Sequence, residues 1–247
     1  GQSLGGVWFI DRNQGVCAFG NCDNTIVTFC KTIDGGATWR VVQYNHTNVD
    51  VSVGGITFQN GTWYAAGGLG KFWTSTDNGN SWTLTNTNSF GWQEDLISRF
   101  GNLYIASANG GSCSAAFGGR VLRSVDGGVT WTSTIFSTLM WGVTMTSPMV
   151  GWTCGDNGMA YKTTDGGLTW TDSSCGMNHG DLVDDIWFSD ADHGWAVGNG
   201  IYRYTPLQAV SVSSDVTICR GDSIRLTATG GAGYRWTPSR GLSCTDC

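Results

Sequence analysis

The chain has 247 residues, 13% of them charged, with a net charge of −6, 38 glycines and 13 tryptophans. That length accommodates one sizeable core plus a fragment. A negative balance without a Lys/Arg run argues against a nucleic-acid partner, and no apolar stretch reaches the roughly 18 residues a membrane-spanning helix needs.

In chain order, two recurring pieces alternate. The first reads as strand, tight turn, strand. It appears as Phe9-Ile-Asp11-Arg-Asn-Gln-Gly15-Val-Cys-Ala-Phe-Gly20, Phe58-Gln-Asn60-Gly-Thr-Trp-Tyr-Ala-Ala-Gly67, Phe100-Gly-Asn-Leu-Tyr-Ile-Ala106, Met145-Thr-Ser-Pro-Met-Val-Gly151-Trp-Thr-Cys-Gly155 and Phe188-Ser-Asp190-Ala-Asp-His-Gly194-Trp-Ala-Val-Gly198. The second is a short box, [ST]-x-D-x-G-x-[ST]-W. Its four copies are Thr32-Ile-Asp34-Gly-Gly36-Ala-Thr38-Trp39, Ser75-Thr-Asp77-Asn-Gly79-Asn-Ser81-Trp82, Ser124-Val-Asp126-Gly-Gly128-Val-Thr130-Trp131 and Thr163-Thr-Asp165-Gly-Gly167-Leu-Thr169-Trp170, with aspartates 43, 49 and 39 residues apart. A recurrence of that length marks one supersecondary unit used repeatedly. Asp followed by Gly is a hairpin signal: the carboxylate accepts N–H bonds inside its own turn and glycine supplies φ > 0. The hydroxyls tie the loop ends together, and the tryptophan is large enough to wedge between units. These residues are therefore expected to be structural rather than catalytic or metal-binding.

The box resembles the Asp-box, or BNR repeat, found in sialidases, sortilin-type receptors, xyloglucan-cleaving glycosidases and photosystem-assembly proteins. The F-x-D…G-W-A-V-G pieces are most similar to the photosystem-assembly (Ycf48-like) branch. The resemblance implies an all-β chain: a β-propeller of four-stranded antiparallel blades, with each box joining the two outer strands of a blade. Five units are expected, over 5–44, 45–86, 87–136, 137–177 and 178–213, and a ring of five is expected to close and hide its strand edges. In the fifth, Pro206 stands where a box would begin, and 207–213 is expected to supply the outer strand. Residues 108–119 are an expected surface insertion.

From about 209 the texture changes, giving a division into 1–208 and 209–247. Cys219-Arg-Gly-Asp222-Ser-Ile-Arg-Leu-Thr-Ala228, Tyr234-Arg-Trp236-Thr-Pro238 and Gly241-Leu-Ser243 resemble the start of the Ig-like or PKD-like modules of type IX-secreted bacterial surface proteins. An Ig-type sandwich takes about 100 residues, so a longer, multidomain parent is expected. The resemblance implies a secreted or cell-surface location in a Gram-negative bacterium. Nine cysteines fit an oxidising compartment. The disulfide candidates are Cys154 with Cys175, two of Cys17, Cys22 and Cys30, and Cys219 with Cys244 or Cys247.

An Asp-box sialidase needs an arginine triad and an Arg-x-Pro element; no Arg-x-Pro occurs, and Glu94 is the sole glutamate. The expectation is therefore a non-enzyme without a cofactor. Propellers bind at the channel mouth, on the loops entering the innermost strands. Here those are 46–50, 89–94, 137–141 and 178–185, which carry His46, Asp50, Trp92, Glu94, Trp141, His179 and Asp181 as ligand candidates. Aromatics beside carboxylates suit a glycan or protein ligand. Asp181, Asp184 and Asp185 are a further candidate set for Ca²⁺, since hard cations take clustered carboxylates. The expected role is binding, adhesion or extracellular assembly beside further Ig-like domains. A sialidase-like glycoside hydrolase, with Glu94 and Asp181 as its carboxylate pair, and a self-assembling filament subunit are the rivals.

Overall fold

The computed structural model describes residues 3–20, 26–45, 53–89, 91–108, 118–205, 211–212 and 223–229. The chain divides into two units, Gly1–Tyr204 and Thr205–Cys247.

In the first unit, strands follow one another in sequence and pair antiparallel with their neighbours, giving one small sheet per sequence unit. Blade one is β1 (Ser3–Phe9), β2 (Gly15–Gly20), β3 (Ile26–Thr32) and β4 (Arg40–Asn45). Blade two is β5 (Val53–Gln59), β6 (Thr62–Gly67), β7 (Lys71–Ser75) and β8 (Thr83–Asn86). Blade three is β9 (Trp92–Arg99), β10 (Asn102–Ala108), β11 (Gly119–Ser124) and β12 (Thr132–Phe136). Blade four is β13 (Met140–Met145), β14 (Gly151–Gly155), β15 (Ala160–Thr163) and β16 (Thr171–Asp172). Blade five has three strands, β17 (Val183–Phe188), β18 (Gly194–Gly198) and β19 (Ile201–Arg203). The first strands of successive blades, β1, β5, β9, β13 and β17, lie side by side, so they form the inner wall, with the box hairpins outermost.

Period-two patterning decides which face goes where. In β2, Val16 and Ala18 face forward and pack with Val27 and Phe29 against Ile56, Trp63, Ala65 and Trp73 of blade two. Tyr64 and Ala66 repeat that role toward blade three, Tyr104 and Ala106 toward blade four, and Trp152 and Cys154 toward blade five. Three of the four box tryptophans wedge backward, while Trp39 meets Phe9 of its own blade edge-on at 6.0 Å. Trp82 stacks on Phe29 of blade one with ring centroids 4.0 Å apart, and Trp131 meets Phe72 of blade two edge-on at 5.1 Å. Trp170 approaches Phe136 of blade three at 6.4 Å.

Two sequence expectations are corrected. Of the segment 207–213 expected to complete blade five, only Ser211 and Val212 are described, and they form β20 (Ser211–Val212), which pairs with β21 (Ala228–Thr229) within the second unit. The ring is also not sealed among the described residues. Trp152, facing forward from blade four, is 2% exposed, whereas Trp195 at the same place in blade five is 40% exposed. Trp187 beside it, and Val7 and Val41 on the opposite-facing side of blade one, are likewise exposed. The insertion expected over 108–119 falls almost wholly outside the described residues. Cys22, Cys219, Cys244 and Cys247 lie outside them too.

Cys154 and Cys175 are both free thiols, contrary to the expected pair. The reason is directional: Cys154 is turned into the core between blades four and five, while Cys175 is exposed in the turn after β16. Among the described residues there is no α-helix, and no helix long and apolar enough to cross a membrane.

Candidate functional site

The four boxes have one hydrogen-bonding plan. In the first, the Thr32 hydroxyl donates to Asp34 Oδ1 at 2.8 Å and accepts the Gly36 N–H at 2.9 Å. Asp34 Oδ1 also accepts the Thr38 N–H at 2.8 Å, and Oδ2 accepts the Thr38 hydroxyl at 2.6 Å. The same four bonds recur around Asp77, Asp126 and Asp165. Bonds to a carboxylate favour its charged form. The hydroxyl and N–H of Thr38, Thr130 and Thr169 accordingly hold Asp34, Asp126 and Asp165 down to about 2, and Ser81 lowers Asp77 as well. Each carboxylate is engaged in its own turn, on a separate blade, and none faces a shared pocket.

A second repeated feature lies on the inner wall. Every innermost strand carries a one-residue bulge against its partner: register slips across Gly5, Gly54, Glu94, Trp141 and Asp184. A bulge bends a strand and re-aims one side chain. In blades one and two the bulge must be glycine, because a Cβ at Gly5 would lie 1.5 Å from the Val53 carbonyl oxygen, and one at Gly54 1.9 Å from that of Gln93. In blades three to five the same position carries Glu94, Trp141 and Asp184. The residue after the bulge follows suit: Gly6 and Gly55, then Asp95, Gly142 and Asp185. One sector of the inner wall is therefore bare backbone, and the other presents carboxylates and an indole.

The electrostatics of that sector are those of crowded acids. Glu94 and Asp95 are half-buried. Desolvation pushes Glu94 up to about 7. It pushes Asp95 to about 7 too, the Asp185 charge adding to it against the stabilising bond from the Val143 N–H. That bond is 3.0 Å long and reaches from blade four to blade three. Asp95, Asp184 and Asp185 all act on the buried Cys154 thiol, which burial chiefly raises well above its ordinary value. The Trp141 indole N–H donates to Asp156 Oδ1 at 2.7 Å, placing a fifth acidic group beside the bulge of blade four.

The structure thus brings Glu94, Trp141 and Asp184 to equivalent places and puts Trp92 at the start of β9. Asp181 sits in the turn before β17, where the Tyr202 hydroxyl and, at 3.3 Å, Asn178 Nδ2 donate to it. His179 is exposed in the same turn. His46 and Asp50 lie outside the described residues. Among the described residues no three His, Cys, Asp or Glu side chains are placed to hold a metal ion. The trio Asp181, Asp184 and Asp185 does not converge: Asp181 binds the Tyr202 hydroxyl, and Asp185 Oδ1 accepts the Ile186 N–H at 2.7 Å. Asp95 and Asp156 carry no sequence signal of their own. Aligning the innermost strands as Gly-Gly, Gly-Gly, Glu-Asp, Trp-Gly and Asp-Asp would have marked Asp95.

No protein-family model and no curated protein sequence matches the chain. Solved structures do. The WD40 β-propeller domain of Doa1 superposes with a TM-score of 0.58 at 11% identity, covering 80% of this chain and 62% of that one. The GH74 enzyme of Niastella koreensis gives 0.53 at 14% identity, covering 87% of this chain and 49% of that one. A structure of YCF48 bound to D1 peptide gives 0.36 at 16% identity, covering 83% and 94%. This chain therefore spans about half the length of the GH74 chain and about three fifths of the Doa1 domain. At these identities the likeness is one of fold: the chain is similar to β-propellers, and its five consecutive antiparallel sheets are propeller blades.

Proposed function

We propose that this propeller is a non-catalytic binding module, secreted or displayed at the cell surface, within a larger multidomain protein. The observation that carries the reading is the asymmetric inner wall. Glycine occupies the bulge in two blades, while Glu94, Trp141 and Asp184 occupy it in the next three, so chemistry is concentrated in one sector. An indole beside carboxylates offers a sugar both an apolar face and hydroxyl acceptors, and offers a basic peptide side chain both cation–π and ionic contact. The repeated box carboxylates are engaged in turn bonds, which supports a shape-giving role for them. The tail's likeness to Ig-like modules of type IX-secreted proteins and the cysteine count support the extracellular location, with further Ig-like domains as neighbours in the chain. The test is binding of the full chain to immobilised oligosaccharides and to Lys/Arg-containing peptides, with Glu94→Gln, Trp141→Ala and Asp184→Asn as variants. Weakened binding without a loss of melting temperature is expected. Wild-type binding retained by all three variants would remove the inner wall as the site.

One observation favours a second reading. A half-buried carboxyl raised to about 7 is what a glycosidase general acid requires. Turnover of any glycoside by the wild type, lost in Glu94→Gln, would replace the binding role by hydrolysis.

A further inference from the structure

Cys17 on β2 and Cys30 on β3 are direct cross-strand partners. The row across blade one reads Val7, Cys17, Cys30, Val41, so all four side chains share the face that no neighbouring blade covers among the described residues. The outer two are exposed, and the two thiols are 6% and 7% exposed. Each thiol lies within electrostatic reach of the other. Directly opposed residues of an antiparallel pair have Cα atoms about 4.5 or 5.5 Å apart. Both spacings fall inside the roughly 4.4–6.8 Å window of a disulfide. A bridge here needs a change of side-chain rotamer rather than movement of backbone.

We propose that Cys17 and Cys30 are a modification site: a dithiol that takes up a cross-strand disulfide from a small-molecule or protein disulfide donor. The step is two exchanges. The Cys30 thiolate attacks one sulfur of the donor, forming a mixed disulfide and releasing one donor thiol. The Cys17 sulfur then attacks Cys30 Sγ, forming the intramolecular bond and releasing the second donor thiol. Two electrons pass from the cysteine pair to the donor, and the two cysteine protons end on the released thiols. Cys30 is the entry point because Cys17 is the harder to ionise. Burial pushes Cys17 up to about 12, with the Cys30 charge adding to it. The bridge joins adjacent strands across a short hairpin, so it leaves the blade's pairing unchanged. The pairing rests on strand register alone and holds whether or not the chain is extracellular.

The test incubates the native full chain with glutathione disulfide, quenches with acid, alkylates in denaturant and maps the peptides before and after reduction. The expected product is a Cys17–Cys30 linked peptide two hydrogens lighter than its parts, which separates on reduction. It should persist in Cys22→Ser and vanish in Cys30→Ser, and the oxidised protein should melt at a higher temperature than the reduced one. Alkylation of both Cys17 and Cys30 without reduction would overturn the proposal. So would a stable glutathione adduct on Cys30, or linkage of either residue to Cys22.

Discussion

Gly128, in the third box, lies flat against the ring of Phe72 from blade two: a Cβ there would meet Cε1 at 2.3 Å. The relationship is periodic. Gly79 lies against Val16 of blade one and Gly167 against Tyr104 of blade three. The box is therefore more than a hairpin. Its second glycine and its tryptophan together clasp the blade before. Gly128→Ala adds a methyl group to this contact at a φ of +90° and is expected to cost about 1–3 kcal/mol by overpacking alone. Gly101→Ala, at a φ of +84° with open space around it, carries only the backbone penalty and is the control. Urea denaturation of both variants checks the difference.

The indoles of the clasp are not equivalent. Trp131 Nε1 donates to the Gly128 carbonyl oxygen at 3.0 Å, whereas Trp82 Nε1 is buried without a partner. Trp131→Phe removes a hydrogen bond worth about 1 kcal/mol and leaves a carbonyl unpaired, while Trp82→Phe removes a donor that was never satisfied. Trp131→Phe is expected to lower the urea midpoint more. Equal losses would show that the Trp131 bond contributes nothing.

Acid should loosen the boxes. Asp34, Asp126 and Asp165 are held at about 2, below the ordinary 3.8. A depressed folded-state value gives stability that is present above the unfolded value and lost as pH falls through the folded one. The melting temperature is thus expected to drop from about pH 4 down to about pH 2. Replacing Asp126 by Asn should flatten part of that slope. Thermal scans across this range provide the check.

The inner wall predicts the opposite slope above that window. Glu94 and Asp95 are raised to about 7, so between roughly pH 4 and pH 7 the folded chain binds more protons than the unfolded one. Stability then falls with rising pH. The melting temperature should peak on the acidic side of neutrality. Asp95→Asn retains an acceptor for the Val143 N–H and removes the charge, so it should be more stable than the wild type at pH 8. A wild type that gains stability steadily from pH 4 to pH 8 would contradict this account.

The blade plan was legible because hairpin chemistry is local. Asp126, Gly128 and Thr130 act within five residues of one another, and their spacing alone points to the turn. The strand–turn–strand pieces around Gly15, Gly151 and Gly194 were legible for the same reason. Less local features were hidden. A bulge at Glu94 is a property of the pairing between β9 and β10, so no single strand reveals it. Asp95 reads as an ordinary polar strand residue until blades four and five surround it. Cys154 and Cys175 sit at a plausible loop spacing, but strand direction turns one inward and leaves the other outside. Trp195 carries the same Gly-Trp signature as Trp152. Its exposure is set by whether another blade packs over it, which its own neighbourhood in the sequence does not encode.

The inner-wall bulges have a consequence for how such a chain can change over time. Each slips one residue into an innermost strand without touching the outer hairpin that fastens the blade. Substitution at Glu94, Trp141 or Asp184 changes the chemistry that the wall presents while the clasps at Gly79, Gly128 and Gly167 keep their geometry. The chemistry of the wall and the rigidity of the frame are thereby encoded in different letters of the same repeat, and selection can act on one without disturbing the other.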